Sequence, residues 1–226
     1  MSHRRPIIAR TPQSGGRSNL FRIITNFASV TMLRSMTTRK RKIILAVTGA
    51  SGSLYAKKLL DVLPCVINPP AEIAVIFSDN AKEIWKYETE SNFTAISPVA
   101  EYDNKDFYAP FASGSCEHDT MIVCPASMGI LGRIANGTSD DLIARAADVM
   151  LKEKRKLIIV PRETPFNLIH LKNMETLALA GAIICPATPS FYSKPKTIDD
   201  LVKTVVERVI TLAGFETGIY RWMSND

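Results

Sequence analysis

This sequence predicts an α/β protein: a single doubly wound, Rossmann-like or flavodoxin-like domain with a parallel sheet. Three observations carry the prediction. The β-rich runs are apolar throughout rather than alternating, segments of helical period separate them, and the residues just after each run are rich in Gly, Ser, Arg or Pro. Strands that are apolar on both faces need cover on both, which parallel sheets obtain from crossover helices. With 226 residues and 46% hydrophobic content, the chain can bury one full core but is short for two.

The elements follow in order. The first strand is Lys42 to Thr48, with a helix from about Ser53 to Leu63. Further strands are expected at Glu72 to Phe77, Met121 to Cys124, Leu157 to Val160 and Ala182 to Cys185. Helical patterns occupy Ala81 to Glu90, Asp140 to Lys154, Ile169 to Ala180 and Ile198 to Leu212. Asn92 to Gly114 reads as one long irregular stretch, a surface excursion.

The formal charge of +6 is unevenly distributed, because Met1 to Lys40 holds seven Arg, one Lys and no acid. Without those eight, 20 basic residues face 22 acidic ones, so the body carries no nucleic-acid signature. Residues 1–40 have the composition of a mitochondrial presequence, with dispersed Arg and plentiful Ser and Thr, and residues 41–226 form the catalytic domain. No run approaches the ~18 consecutive apolar residues of a membrane span. Cys65, Cys116, Cys124 and Cys185 lack CxxC pairing, and His3, His118 and His170 lack metal-ligand spacing, so no metal is expected.

In doubly wound sheets, ligands bind beyond the carboxyl ends of the strands. The turn Gly49-Ala50-Ser51-Gly52 can turn backbone N–H groups and the Ser51 hydroxyl toward a phosphate. A dinucleotide fingerprint would need a third glycine where Tyr55 stands, which favours a mononucleotide. Ala112-Ser-Gly-Ser115 and Cys124-Pro-Ala-Ser127 supply further hydroxyls for a ligand or for helix capping. Arg162 and Glu163, at the end of a buried strand, could hold an anion and act as a base, or form a structural ion pair. Lys152 lies in the charged run Lys152-Glu-Lys-Arg-Lys156, which by itself reads as a solvated helix face.

Together these segments resemble the UbiX-type flavin prenyltransferases, including fungal members that partner phenylacrylate or ferulate decarboxylases. The resemblance runs from about Lys42 to Trp222 and adds Tyr87-Glu-Thr89, Asp141 to Asp148, His170 to Met174, Pro189-Ser-Phe-Tyr192 and Arg221-Trp222 to the motifs above. It implies transfer of the prenyl group of dimethylallyl phosphate to N5 and C6 of reduced FMN, making prenylated FMN for a UbiD-type decarboxylase. It implies FMN contacts from Gly49, Ser51, Ser78, Ser127 and Arg145, and a donor phosphate held by Lys152, Arg162, Tyr192 and Arg208. Glu163 and Glu88 would move protons, and Trp222 would close over the prenyl group. Such members assemble as large homo-oligomers, typically dodecamers, with sites shared between subunits.

Three departures stand out. Phe107 replaces the usual Trp but keeps a π face for an allylic cation. Ala126 precedes the serine that ends its strand where a Cys is usual, and the linker before Trp222 is shifted by about a residue relative to the family. Two other readings fit the same fold: a flavin-dependent cysteine decarboxylase, whose Pro-Xaa-Met-Asn element is missing, and a non-catalytic FMN-binding regulatory subunit.

Overall fold

The apolar runs become strands because each buries both faces. In the computed structural model, which describes residues 40–216, the strands are β1 (Lys42–Val47), β2 (Glu72–Phe77), β3 (Val99–Tyr102), β4 (Thr120–Ala126), β5 (Lys156–Pro161) and β6 (Ile183–Ile184). The helices are α1 (Ser53–Val62), α2 (Ala81–Thr89), α3 (Met128–Ala135), α4 (Leu142–Lys152), α5 (Leu168–Leu179) and α6 (Ile198–Ala213). Residues 1–39 of the expected presequence, together with Arg221 and Trp222, lie outside the described residues.

The sheet order is β3-β2-β1-β4-β5-β6, and all neighbours are parallel. The winding reverses between β1 and β4, which opens a crevice at the carboxyl ends of those strands. Alternate residues of β1 serve separate cores. Ile43, Leu45 and Val47 pack with α1 and α6, whereas Ile44 and Ala46 pack with α3 and α4.

Two elements differ from the sequence expectation. The stretch from Asn92 to Gly114 is not a plain surface excursion, since it contributes the edge strand β3 and buries Phe111 fully. That strand reads Val-Ala-Glu-Tyr and is only half-buried, so it lacks the long apolar run that marks the other strands. Helix α3 was also not expected. Its sequence, Met-Gly-Ile-Leu-Gly-Arg-Ile-Ala, carries two glycines that weaken helix propensity, and packing of Ile130, Leu131 and Ile134 overrides that preference.

At the amino ends of the strands, Arg41 binds Asp119 at 2.7 Å and the Ala213 carbonyl at 2.8 Å, with its guanidinium over the Phe215 ring. Nearby His118 is 2% exposed, and neither ring nitrogen has a hydrogen-bond partner. Its Nε2 lies 3.6 Å from Glu72, which itself pairs with Lys42 at 3.1 Å, and its ring stands edge-on to Phe111.

Burial holds the His118 imidazole below its ordinary pKa, ahead of the opposing pull of Glu72. The unfolded chain therefore takes up a proton near pH 6.5 that the folded protein resists, so stability is complete above that pH and falls as pH drops below it. His118→Phe removes both the titration and an unpaired polar group. It is expected to unfold in urea at a higher midpoint than wild type, with a gap that widens as the pH falls from about 7.5 to about 5.5. A gap that is constant across this range would show that His118 is not the titrating group.

Candidate active site

The turn after β1 is built by contacts from three other segments. Thr48 Oγ1 donates to the Pro125 carbonyl and accepts from the Ser127 N–H, both at 2.8 Å, which locks the ends of β1 and β4 together at the crevice. Gly52 adopts a φ of 117°, and a Cβ there would lie 2.9 Å from the Tyr55 ring, so the turn requires glycine on both counts.

The Glu88 carboxylate on α2 accepts from the Gly52 N–H at 2.9 Å and the Ser53 N–H at 2.6 Å. Burial alone would raise its pKa, but hydrogen bonds from Ser51, Gly52 and Ser53 outweigh this and hold it below the usual carboxylate value. On the other side, Arg162 Nε donates to the Ser51 carbonyl at 3.0 Å. An anion thus grips the amides of the turn while a cation grips its carbonyl.

This arrangement corrects one expectation. Of the Gly49–Gly52 amides expected to face a phosphate, that of Gly52 is instead taken, together with the Ser53 N–H beyond it, by the Glu88 carboxylate. The first turn of α3 is different. Ser127 caps the Ile130 N–H, while the N–H groups of Met128 and Gly129 have no acceptor within the helix, and Gly129 lines the crevice.

The crevice holds a cavity of about 410 Å³, lined among others by Gly49, Ser78, Asn80, Ser127, Gly129 and Arg133. A Cβ at Gly49 would lie 3.2 Å from Asn80, so the lack of a side chain keeps this wall thin. Arg133 is not an uncommitted cation, since it binds Asp140 at 2.8 Å and Asp141 at 2.6 Å. The size, the hydroxyls and the helix amides suit a ligand with a polar tail and a flat ring. A flavin mononucleotide fits that description.

Of the predicted cofactor residues, Gly49, Ser78 and Ser127 meet at this cavity. Ser51 sits beside it on the clamped turn. Arg145 does not join them. It lies on α4, where its Nε donates to the Ala112 carbonyl at 2.9 Å and its NH1 approaches Asp148 at 3.4 Å.

The predicted donor-binding residues divide into two groups. Arg162 and Glu163 follow β5, and the Glu163 carboxylate accepts from the Thr164 N–H at 3.0 Å. Tyr192 is exposed on the segment after β6, which is tied to α6 by Ser190 N–H donating to Thr204 Oγ1 at 3.1 Å. Arg208 lies one turn along α6 from Thr204 and faces Cys185, whose thiol pKa is raised by burial and eased down by that guanidinium. These four belong to neighbouring elements on the β5–β6 side.

Lys152 does not belong with them in one chain. It ends α4, just before Lys156 opens β5, while Arg162 follows the far end of that strand. Six residues at ~3.3 Å each put roughly 20 Å of strand between the two positions. On α4, a helix otherwise largely buried, Arg145, Asp148 and Lys152 form one outward strip at helical spacing, beside the loop Ser113–Ser115.

Comparison with known proteins fits this geometry. The Flavoprotein family signature matches residues 32–210. The flavin prenyltransferase UbiX of Methanocaldococcus jannaschii is 48% identical over 184 residues, covering 80% of this chain and 98% of its own. The mitochondrial flavin prenyltransferase PAD1 of Saccharomyces cerevisiae is 40% identical over 196 residues, covering 85% of this chain and 80% of its own. Among solved structures, AnUbiX (PadA1) in complex with FMN and dimethylallyl pyrophosphate is 41% identical with a TM-score of 0.78, covering 83% of this chain and all (100%) of that one. A dodecameric FMN-dependent UbiX-like decarboxylase from Escherichia coli O157:H7 is 39% identical with a TM-score of 0.73, covering 80% of this chain and 100% of that one.

The clamp has a measurable consequence. Glu88→Ala leaves two helix-start amides without their carboxylate and should lower stability by about 1–2 kcal/mol. Urea unfolding checks this, and a variant as stable as wild type would mean that the carboxylate does not hold the turn.

Proposed function

The chain belongs to the UbiX-type flavin prenyltransferases, and from that membership we propose how its residues divide the work. The enzyme joins the five-carbon unit of a phosphorylated dimethylallyl donor to reduced FMN. Bound reduced flavin supplies the nucleophilic N5 and C6 edge; the protein supplies position, charge and proton transfer. Gly49, Ser78, Ser127 and the first amides of α3 hold the cofactor in the crevice. Ser51, fixed between Glu88 and Arg162 on the adjoining turn, adds its hydroxyl to the cofactor contacts.

Arg162, Tyr192 and Arg208 hold the donor phosphate, and Glu163 moves the proton at the phosphate oxygen as the ester bond breaks. Cations suit this step because negative charge accumulates on the departing phosphate. Phe107, which is 46% exposed, offers its ring to the cation-like allyl fragment.

Lys152 and Arg145 complete the site from another copy of the chain. The observation that carries this reading is the length of β5, which separates Lys152 from Arg162 within one protomer. Helix α5 supports assembly independently. Leu168, Ile169, Leu171 and Leu179 are all at least half exposed, and only Leu177 of the helix is buried, so an apolar surface awaits cover. A homododecamer accounts for both, in keeping with the dodecameric relative.

The presequence composition and the mitochondrial yeast relative support a mitochondrial location. A UbiD-type decarboxylase receives the product. Among the described residues, no helix is long and apolar enough to cross a membrane.

Incubating the protein anaerobically with reduced FMN and dimethylallyl phosphate should yield a flavin heavier by one prenyl unit in mass spectrometry, and much less of it with Glu163→Gln. Lys152→Ala and Arg162→Ala should each be nearly inactive alone. Co-expressed and mixed in one oligomer, they should recover part of the activity, because some sites then draw both intact cations from different chains. Inactive mixed oligomers would mean that Lys152 and Arg162 do not meet in one site from different chains.

A further inference from the structure

Gly114, in the loop beside α4, is surrounded by three charged side chains. Arg155 donates from NH2 to the Gly114 carbonyl at 2.5 Å, and its NH1 binds the His118 carbonyl at 3.1 Å and the Cys116 sulfur at 2.8 Å. One arginine therefore fixes the loop from Gly114 to His118 against the end of α4. On the other side of the glycine lies the Lys152–Glu153 ion pair, with Nζ and Oε1 at 2.8 Å.

The fit leaves no room for a side chain at Gly114. A Cβ there would overlap the Glu153 carboxylate and come within 2.9 Å of Lys152 Nζ. The Gly114 backbone is not in the left-handed region, so the requirement for glycine is one of space alone. The atoms in the way are the ends of two flexible side chains. Substitution would therefore move the ion pair and leave the backbone and core in place.

Charge supports the same geometry. The Glu153 pKa is lowered first by its hydrogen bond and attraction to Lys152, and further by Arg155. Its carboxylate thus sits between two cations, Arg155, which is bound to the loop, and Lys152, which it holds at the end of α4. Without it, a long lysine at a helix end samples many rotamers, and holding it in one of them costs side-chain entropy.

We propose that Glu153, seated in the notch left by Gly114, is a positioning residue that aims the Lys152 ammonium at the donor phosphate of a neighbouring copy's site. The proposal rests on the reading of Lys152 as a donor ligand. Glu153 touches neither substrate nor flavin and acts only through Lys152.

The test compares Gly114→Ala, Glu153→Ala, the double variant and Lys152→Ala in the full chain. Calorimetry measures binding of dimethylallyl phosphate to protein loaded with oxidised FMN, and steady-state assays with reduced FMN give KM and kcat. Gly114→Ala and Glu153→Ala should each weaken donor binding about tenfold, with FMN affinity and oligomer size unchanged and the melting temperature within about 2 °C of wild type. The double variant should bind no worse than Glu153→Ala alone, because both changes act on the same ammonium. Glu153→Gln, which keeps an acceptor but not the charge, should fall between wild type and Glu153→Ala. Unchanged donor binding in Gly114→Ala, or effects that add fully in the double variant, overturns the positioning role. Unchanged donor binding in Lys152→Ala would instead remove the assignment of Lys152, and the proposal with it.

Discussion

Everything at the crevice depends on the turn after β1 being held from both sides by opposite charges. Its amides meet the Glu88 carboxylate and its Ser51 carbonyl meets Arg162. Helix starts attract anions, and an unoccupied one in a flavin site would compete for the ligand's phosphate. Filling it internally leaves the first turn of α3 as a helix start at the cavity with amides open to an anion. The same clamp ties α2, through Glu88, and β5, through Arg162, to the one segment that Thr48 has already fixed to β4. The turn after β1, the start of α1 and the end of β5 are thereby held in fixed register.

The parallel topology sets the second constraint. Every strand presents its carboxyl end to the crevice, so a residue ending the helix that precedes a strand lies at the opposite edge of the sheet. Lys152 has that position relative to Arg162, and no side-chain rotamer spans the length of β5. A site that needs both must be assembled between copies. The outward strip of Arg145, Asp148 and Lys152, on a helix otherwise largely buried, is the polar counterpart of the apolar surface on α5. Both have the properties of surfaces completed by another chain.

The sequence made much of the fold legible, and the reasons differ by element. Strands β1, β2, β4 and β5 were readable because each is an unbroken apolar run buried on both faces. Strand β3 was not, because an edge strand needs to be apolar on one face only and its four residues carry a Glu and a Tyr. Helix α3 hid behind Gly129 and Gly132; the second of these sits 3.4 Å from Asn173 of α5, counted from an added Cβ, so close packing between the helices explains what propensity argued against. Within the site, Gly49, Ser78 and Ser127 could be found from strand ends alone. The capping role of Glu88 could not, since it links positions 35 and 36 residues apart through tertiary contact. Lys152 was visible only through family resemblance, because on composition it is one charge among five in a row.

Dividing the cations between chains also suits the chemistry. In the proposed assembly, Lys152 of one copy approaches Arg162 and Arg208 of another, and two like charges 4 Å apart repel by about 4 kcal/mol at an effective dielectric near 20. A dianionic phosphate between them reverses the sign, adding to the partial compensation that Glu153 gives Lys152 in the empty site. The attraction grows as the ester bond breaks, because the departing phosphate gains the charge that the allyl fragment loses. An arrangement most satisfied at bond cleavage binds the transition state more tightly than the ground state, which is the condition for accelerating the step. In a single protomer, Arg162 and Arg208 lack Lys152, which stands at the far edge of the sheet, so on the proposed assembly the full set of cations forms only where two chains meet.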